Sequence, residues 1–82
     1  MASRAPVRDP FPPDIRTRAY RKLALINEAK TLDDLAAVPG NRLELLAGNL
    51  AGKHSIRIND QWRILFRWTD GNAQEVSIQD YH

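Results

Sequence analysis

HSIRINDQWRILFRWTDGNAQEVSI, residues 54–78, places apolar side chains at every second position in three separate runs. Ile56 and Ile58, then Ile64 and Phe66, then Val76 and Ile78 mark the same side of a pleated ribbon, because successive strand residues point to opposite faces. Asn59–Asp60 interrupts the first two runs and reads as a two-residue turn, since both residue types tolerate positive φ. Asp70–Gly71 marks the next hairpin. Three consecutive antiparallel strands follow. RLELL, residues 42–46, supplies a fourth run, joined to the others through AGNLAGK, 47–53, which is expected to be a flexible loop. The glycines of that loop do not make a phosphate loop, because no helix follows and no Lys-Ser/Thr closes the pattern.

Alternation then sorts the faces. Leu43, Leu45, Ile56, Ile58, Ile64, Phe66, Val76 and Ile78 are expected on the side that receives other elements. Glu44, Leu46, Ser55, Arg57, Arg63, Leu65, Arg67, Ser77 and Tyr81 fall opposite. An antiparallel sheet can leave one face wet. Three arginines on neighbouring strands repel one another, however, and such a cluster invites an anion. Trp62 and Trp68 lie in phase with Ile64 and Phe66 and read as core or rim packing. His54, alternating with Ile56 and Ile58, reads as a packed or edge histidine.

N-terminal to Gly40 the period changes. Ile15, Ala19, Leu23 and Ile26 recur at steps of four, four and three, which predicts an amphipathic helix beginning near Pro12–Pro13. Thr31-Leu-Asp-Asp34 is a capping pattern for a second, short helix that Pro39 and Gly40 stop. MASRAPVRDPFP, residues 1–12, has no periodicity and reads as a flexible arm before one domain, 13–82. The expected class is α+β, two N-terminal helices packed on one face of a small antiparallel sheet.

Eighty-two residues, 43% of them apolar, suffice for one compact core. There is no cysteine, so neither a disulfide framework nor a thiolate metal site exists. With two histidines besides, no metal or other cofactor is expected. No apolar run approaches the roughly 20 residues of a membrane span, and a cytoplasmic protein with no membrane partner is expected. The net charge of +2 is unevenly placed: residues 1–30 carry +4 and residues 31–82 carry −2. A basic helical front end suits phosphate or an acidic partner.

The sequence runs on from Ile78 into Asp80, Tyr81 and His82. Cleavage of RNA by its own 2′-hydroxyl needs a proton acceptor, a donor for the departing 5′-oxygen and positive charge at the phosphate. His82 suits either proton role, its unperturbed pKa being about 6.5. Arg63 offers a fork of donors to phosphate oxygens. Tyr81 suits stacking on a base or positioning of a hydroxyl, and Asp80 suits orienting His82 or accepting bonds from backbone and arginine.

GNRLE (40–44), SIRINDQWRI with the following FRW and DG (55–71), and the terminal DYH (80–82) occur in the order and spacing of a known group. From about Phe11 to His82 the chain resembles the HigB-type toxins of the RelE superfamily, the plasmid-maintenance or host-killer toxins of bacterial toxin–antitoxin pairs. The resemblance implies a microbial-RNase-like fold and a ribosome-dependent mRNA endonuclease (an mRNA interferase) that cuts codons in the A site and arrests translation. It implies a HigA-like antitoxin with a helix-turn-helix domain as partner, beside the ribosome and mRNA. It makes Arg63 the phosphate contact and Asp80, Tyr81 and His82 the residues needed for cleavage; Glu44, Lys53 and, from the cationic face, Arg57 and Arg67 are expected to bind substrate. Two departures accompany it. Ala47 stands where family members carry a lysine, with Lys53 across the loop as the substitute. The Pro/Arg-rich arm stands where they begin with a strand, so the sheet is expected to lack its usual first strand. These departures carry the alternative of a degenerate toxin that binds antitoxin without efficient cleavage.

Overall fold

The computed structural model describes residues 13–80, with side chains described from Ile15. The expected arm at 1–12, any strand it would replace, and Tyr81 and His82 lie outside the described residues. Helix α1 (Pro13–Glu28) and a short α2 (Leu32–Ala36) precede four strands, β1 (Glu44–Leu45), β2 (Lys53–Arg57), β3 (Trp62–Thr69) and β4 (Asn72–Asp80). The strands form one antiparallel sheet in the order β1-β2-β3-β4.

The helices form where the sequence signals them. Ile15, Ala19 and Ile26 are buried and Leu23 packs beside them, so the stripe of α1 is its core face. At α2 the Thr31 side chain accepts from Asp34 N at 3.2 Å, while Asp34 Oδ2 accepts from Lys30 N at 2.9 Å and Thr31 N at 3.1 Å. Those backbone donors hold the Asp34 carboxyl below its ordinary pKa. Beneath the helices lie Ile56, Ile58, Ile64 and Phe66, all buried, with Trp62 and Trp68 packed against them. Phe66 is 0% exposed and sits between two rings, stacked on His54 and edge-to-face with Trp68. His54 and both tryptophans are thus packing residues, as their phase predicts.

Asp70 (φ 53) and Gly71 (φ 79) form the tight turn between Thr69 and Asn72. Two successive positive φ angles give the twist that a two-residue hairpin requires. The other hairpin corrects the expectation. Ile58 N donates to Trp62 O at 2.9 Å, so three residues, Asn59–Gln61, make the connection rather than Asn59–Asp60. The reason is the Asn59 side chain, whose Oδ1 accepts from Gln61 N and Trp62 N, both at 2.8 Å. That side chain closes the turn, and neither Asn59 nor Asp60 takes positive φ.

Other expectations shift at the sheet's edges. Of RLELL, only Glu44–Leu45 pairs as strand, because Arg42 is left-handed (φ 49) and breaks the run. The expected flexible loop holds a 3₁₀ turn at Gly48–Leu50. Leu45 (68% exposed) and Val76 (43%) were expected in the core but lie on the two outer strands, where nothing among the described residues covers them fully. A bulge interrupts β4: Leu65 pairs with Ser77 but Arg67 with Gln74, leaving Glu75 and Val76 opposite Phe66. Glu75 takes φ 53 there.

Candidate active site

The face of the sheet away from α1 is polar, as alternation predicts, but its centre is not a solvated surface. Ser55, Arg63 and Leu65 are all buried. Arg63 is only 6% exposed. A buried guanidinium requires partners, and neighbouring strands deliver them. Nη1 donates to Ser55 Oγ at 2.7 Å and to Arg42 O at 3.5 Å, and Nη2 lies 3.6 Å from Glu44 Oε2. Register explains the constellation: Glu44 pairs with Ser55 across β1–β2, and Arg57 pairs with Arg63 across β2–β3. Two side chains, Ser55 and Glu44, and one backbone carbonyl therefore hold one cation in a fixed orientation. That arrangement suits a tetrahedral anion bearing several equivalent oxygens.

At the other end of this face, Lys53 pairs with Arg67 across β2–β3. Both reach Glu75 on the bulge, at 3.8 Å from Lys53 Nζ and 3.2 Å from Arg67 Nε. The left-handed backbone at Glu75 is what delivers a carboxylate between two cations. Arg57, expected as a substrate contact, is paired with Asp60 of the turn and lies beside Arg63. The expected substrate residues thus share one face, split into an Arg63 end with Glu44 and Arg57 and a Glu75 end with Lys53 and Arg67.

Asp80 is placed differently from Arg63. It pairs with Trp62, which shares a face with Ile64 and Phe66, so its carboxylate is not brought to the face of Arg63. Gln61 Nε2 donates to Asp80 Oδ2 at 3.1 Å, tying the end of β4 to the β2–β3 turn. Tyr81 and His82 lie outside the described residues. Among the described residues no group of three or more His, Cys, Asp or Glu is placed to hold a metal ion.

Two positioning residues went unread in the sequence. Ser55 was assigned to the polar face, but only the structure shows it buried and bonded to Arg63; its signal was a lone small hydroxyl in phase with Arg57 and Arg63. Asn41 is 0% exposed inside the GNRLE motif. Its Nδ2 donates to Leu35 O at 3.0 Å, its Oδ1 accepts from Lys22 Nζ, and its carbonyl accepts from Arg57 N at 2.6 Å. One residue thereby joins both helices to β2, the strand that carries Arg57.

Comparison with known proteins matches residues 7–82 to a family model described as a RelE-like toxin of type II toxin–antitoxin systems, HigB. Toxin HigB-1 of Vibrio cholerae serotype O1 is 47% identical over 71 residues, 87% of this chain and 75% of that protein. An uncharacterized protein of Haemophilus influenzae is 30% identical over 61 residues, 74% of this chain and 60% of its own length.

Proposed function

The chain belongs to the HigB-like toxins of type II toxin–antitoxin systems, and from that premise we propose that it is a ribosome-dependent mRNA endonuclease that arrests translation. The observation that carries this reading is Arg63, a buried guanidinium held by Ser55, Arg42 O and Glu44. In the reaction the 2′-oxygen attacks the adjacent phosphorus and the bond to the 5′-oxygen breaks. The 2′-hydroxyl gives up a proton and the leaving 5′-oxygen receives one. Arg63 stabilises the charge that builds on the non-bridging oxygens, commonly the largest catalytic contribution. Glu44 balances its charge until the phosphate arrives. His82 transfers the protons and Tyr81 stacks on a base. Asp80, tied to Gln61, anchors the strand end from which those two residues continue. The partners in this reading are the ribosome, its mRNA and a helix-turn-helix antitoxin.

Arg63→Ala should lower cleavage of ribosome-bound mRNA by about 100- to 1,000-fold, with circular dichroism showing that the fold survives. Arg63→Lys keeps the charge without the fork and should recover only part of the rate. Equal cleavage by wild type and Arg63→Ala would sink the assignment.

One observation favours a second reading, a toxin that binds antitoxin but cleaves poorly. Ala47 is exposed at the start of the 3₁₀ turn and supplies no cation, while the nearby Lys53 is drawn toward Glu75. If wild type is silent and Ala47→Lys restores cleavage, the missing cation accounts for the loss.

A further inference from the structure

Between α1 and the β2–β3 turn lies an open cleft of about 470 Å³, lined by Arg18, Arg21, Lys22 and Arg57 together with Gly40, Ile58, Asn59 and Asp60. Four cations thus face one carboxylate. Arg18, Arg21 and Lys22 stand three and four residues apart on α1, a spacing that makes like charges neighbours and destabilises the helix. The fold accepts that repulsion and partly offsets it with neutral acceptors. Arg18 Nη1 donates to Ile58 O at 3.5 Å and Lys22 Nζ to Asn41 Oδ1. The single carboxylate, Asp60, is engaged by Arg57. Partial burial and the charge of Arg18 hold the Lys22 amine below its ordinary pKa. An anion in the cleft would relieve both effects.

We propose that this cleft binds a backbone phosphate of the same RNA strand whose scissile phosphate lies at Arg63. The proposal rests on the endonuclease reading and extends it to a second position on the substrate. Continuity carries it. Arg57 lines the cleft and is also the cross-strand partner of Arg63, so one arginine adjoins both the buried guanidinium and the cations of α1. Phosphates recur along a strand, and a row of fixed cations matches that repeat better than it matches an isolated carboxylate. Asn41 makes the cleft rigid, because it bonds Lys22 on one side and the backbone of Arg57 on the other. Lys22 therefore meets the strand with little ordering left to do.

The test uses the full chain and a fluorescent, 2′-O-methylated RNA octanucleotide, which binds but cannot be cut. Arg18 and Arg21 are exposed on α1, so their replacement by alanine should leave the fold intact, as circular dichroism would verify. The double variant Arg18→Ala/Arg21→Ala should bind the octanucleotide about 10- to 100-fold more weakly, and its plot of log affinity against log salt should be shallower by about one. Arg18→Lys/Arg21→Lys should retain most of the affinity. Arg16→Ala/Lys30→Ala removes the same charge outside the cleft, on α1 and just beyond its end, and should change affinity by less than about threefold. Equal losses in the two alanine pairs, or no loss in either, would overturn the subsite. So would unchanged RNA affinity in the cleft variant with lost binding to a glutamate-rich peptide, which would reassign the cleft to an acidic protein partner. Wild type that binds no RNA overturns it as well. Wild type that binds RNA but cuts no ribosome-bound message refutes the endonuclease reading instead, and the two failures are told apart by the separate binding measurement.

Discussion

At one end of the sheet's polar face Arg63 is buried and oriented by Ser55, Arg42 O and Glu44. At the other end Lys53 and Arg67 share the exposed Glu75. Each end sets an arginine of β3 against a glutamate, Glu44 of β1 at one and Glu75 of β4 at the other. They differ in solvent access, and that decides what each can do. A desolvated guanidinium acts through a low local dielectric and keeps its geometry when substrate arrives. Exposed ion pairs are screened and contribute little to stability. In the proposed endonuclease, the Arg63 end would meet transition-state charge and the Glu75 end would supply adjustable attraction along a strand.

The largest effect expected at the Arg63 end comes from the tail. Asp80 pairs with Trp62, the neighbour of Arg63 in sequence, and is followed in sequence by Tyr81 and His82. Deleting these two residues should lower ribosome-dependent cleavage about 100- to 10,000-fold, the usual worth of a general acid or base, while antitoxin binding persists. His82→Gln should flatten the pH–rate profile near neutrality. Activity retained after the deletion would remove Tyr81 and His82 from the chemistry.

Both ends rest on one core, and Phe66 lies beneath their junction with its ring against His54 and Trp68. Phe66→Ala should cost about 3–5 kcal/mol, read from denaturant unfolding. A melting curve like that of wild type would mean that the sheet is not packed through this residue.

How far this division was legible in sequence depends on the kind of interaction. Ile15, Ala19, Leu23 and Ile26, the alternation of Ile56 to Phe66, and the Thr31–Asp34 box all work through local periodicity or a spacing of three. Such signals survive translation into structure because tertiary packing only reinforces them. The Asp70–Gly71 turn is equally local. By contrast, the depth of Arg63 depends on Glu44, Ser55 and Leu65 converging from three strands, which alternation orients but cannot enclose. The bulge has no local signature either, since QEVSI reads as a regular strand. It arises where the register set by the tight Asp70–Gly71 turn must be reconciled with the pairing of Leu65 and Ser77. Asn59 was recognised as a turn residue, but its side-chain acceptor lengthened the turn by one. Asn41 carried a motif without a visible role until its three bonds were seen.

Arg67 offers a graded comparison with Arg63. Arg67→Ala should weaken binding of the octanucleotide with a shallower salt dependence, and change the rate of the bound complex by less than about tenfold. Arg63→Ala should do the reverse, acting mainly on the rate. If both variants act on the rate alike, the two ends do not divide the work.

The smallest effect is the sharpest discriminator, because it exchanges one carboxylate at each end. Glu75→Gln removes an exposed carboxylate shared by Lys53 and Arg67, so stability should change by less than about 1 kcal/mol and lose its salt dependence. The two released cations should raise affinity for the octanucleotide by up to about tenfold at low salt. Glu44→Gln leaves the buried Arg63 without its charged partner. Glu44 faces Arg63 as an ion-pair partner at 3.6 Å, while Ser55 Oγ and Arg42 O go on accepting, so the loss should stay near about 1 kcal/mol. This cost should persist at high salt, since burial shields Arg63 from screening ions. Comparing the two variants in urea at low and high ionic strength isolates burial as the variable. Equal, salt-sensitive losses would mean that Arg63 behaves as a surface charge, and the contrast between the two ends would collapse.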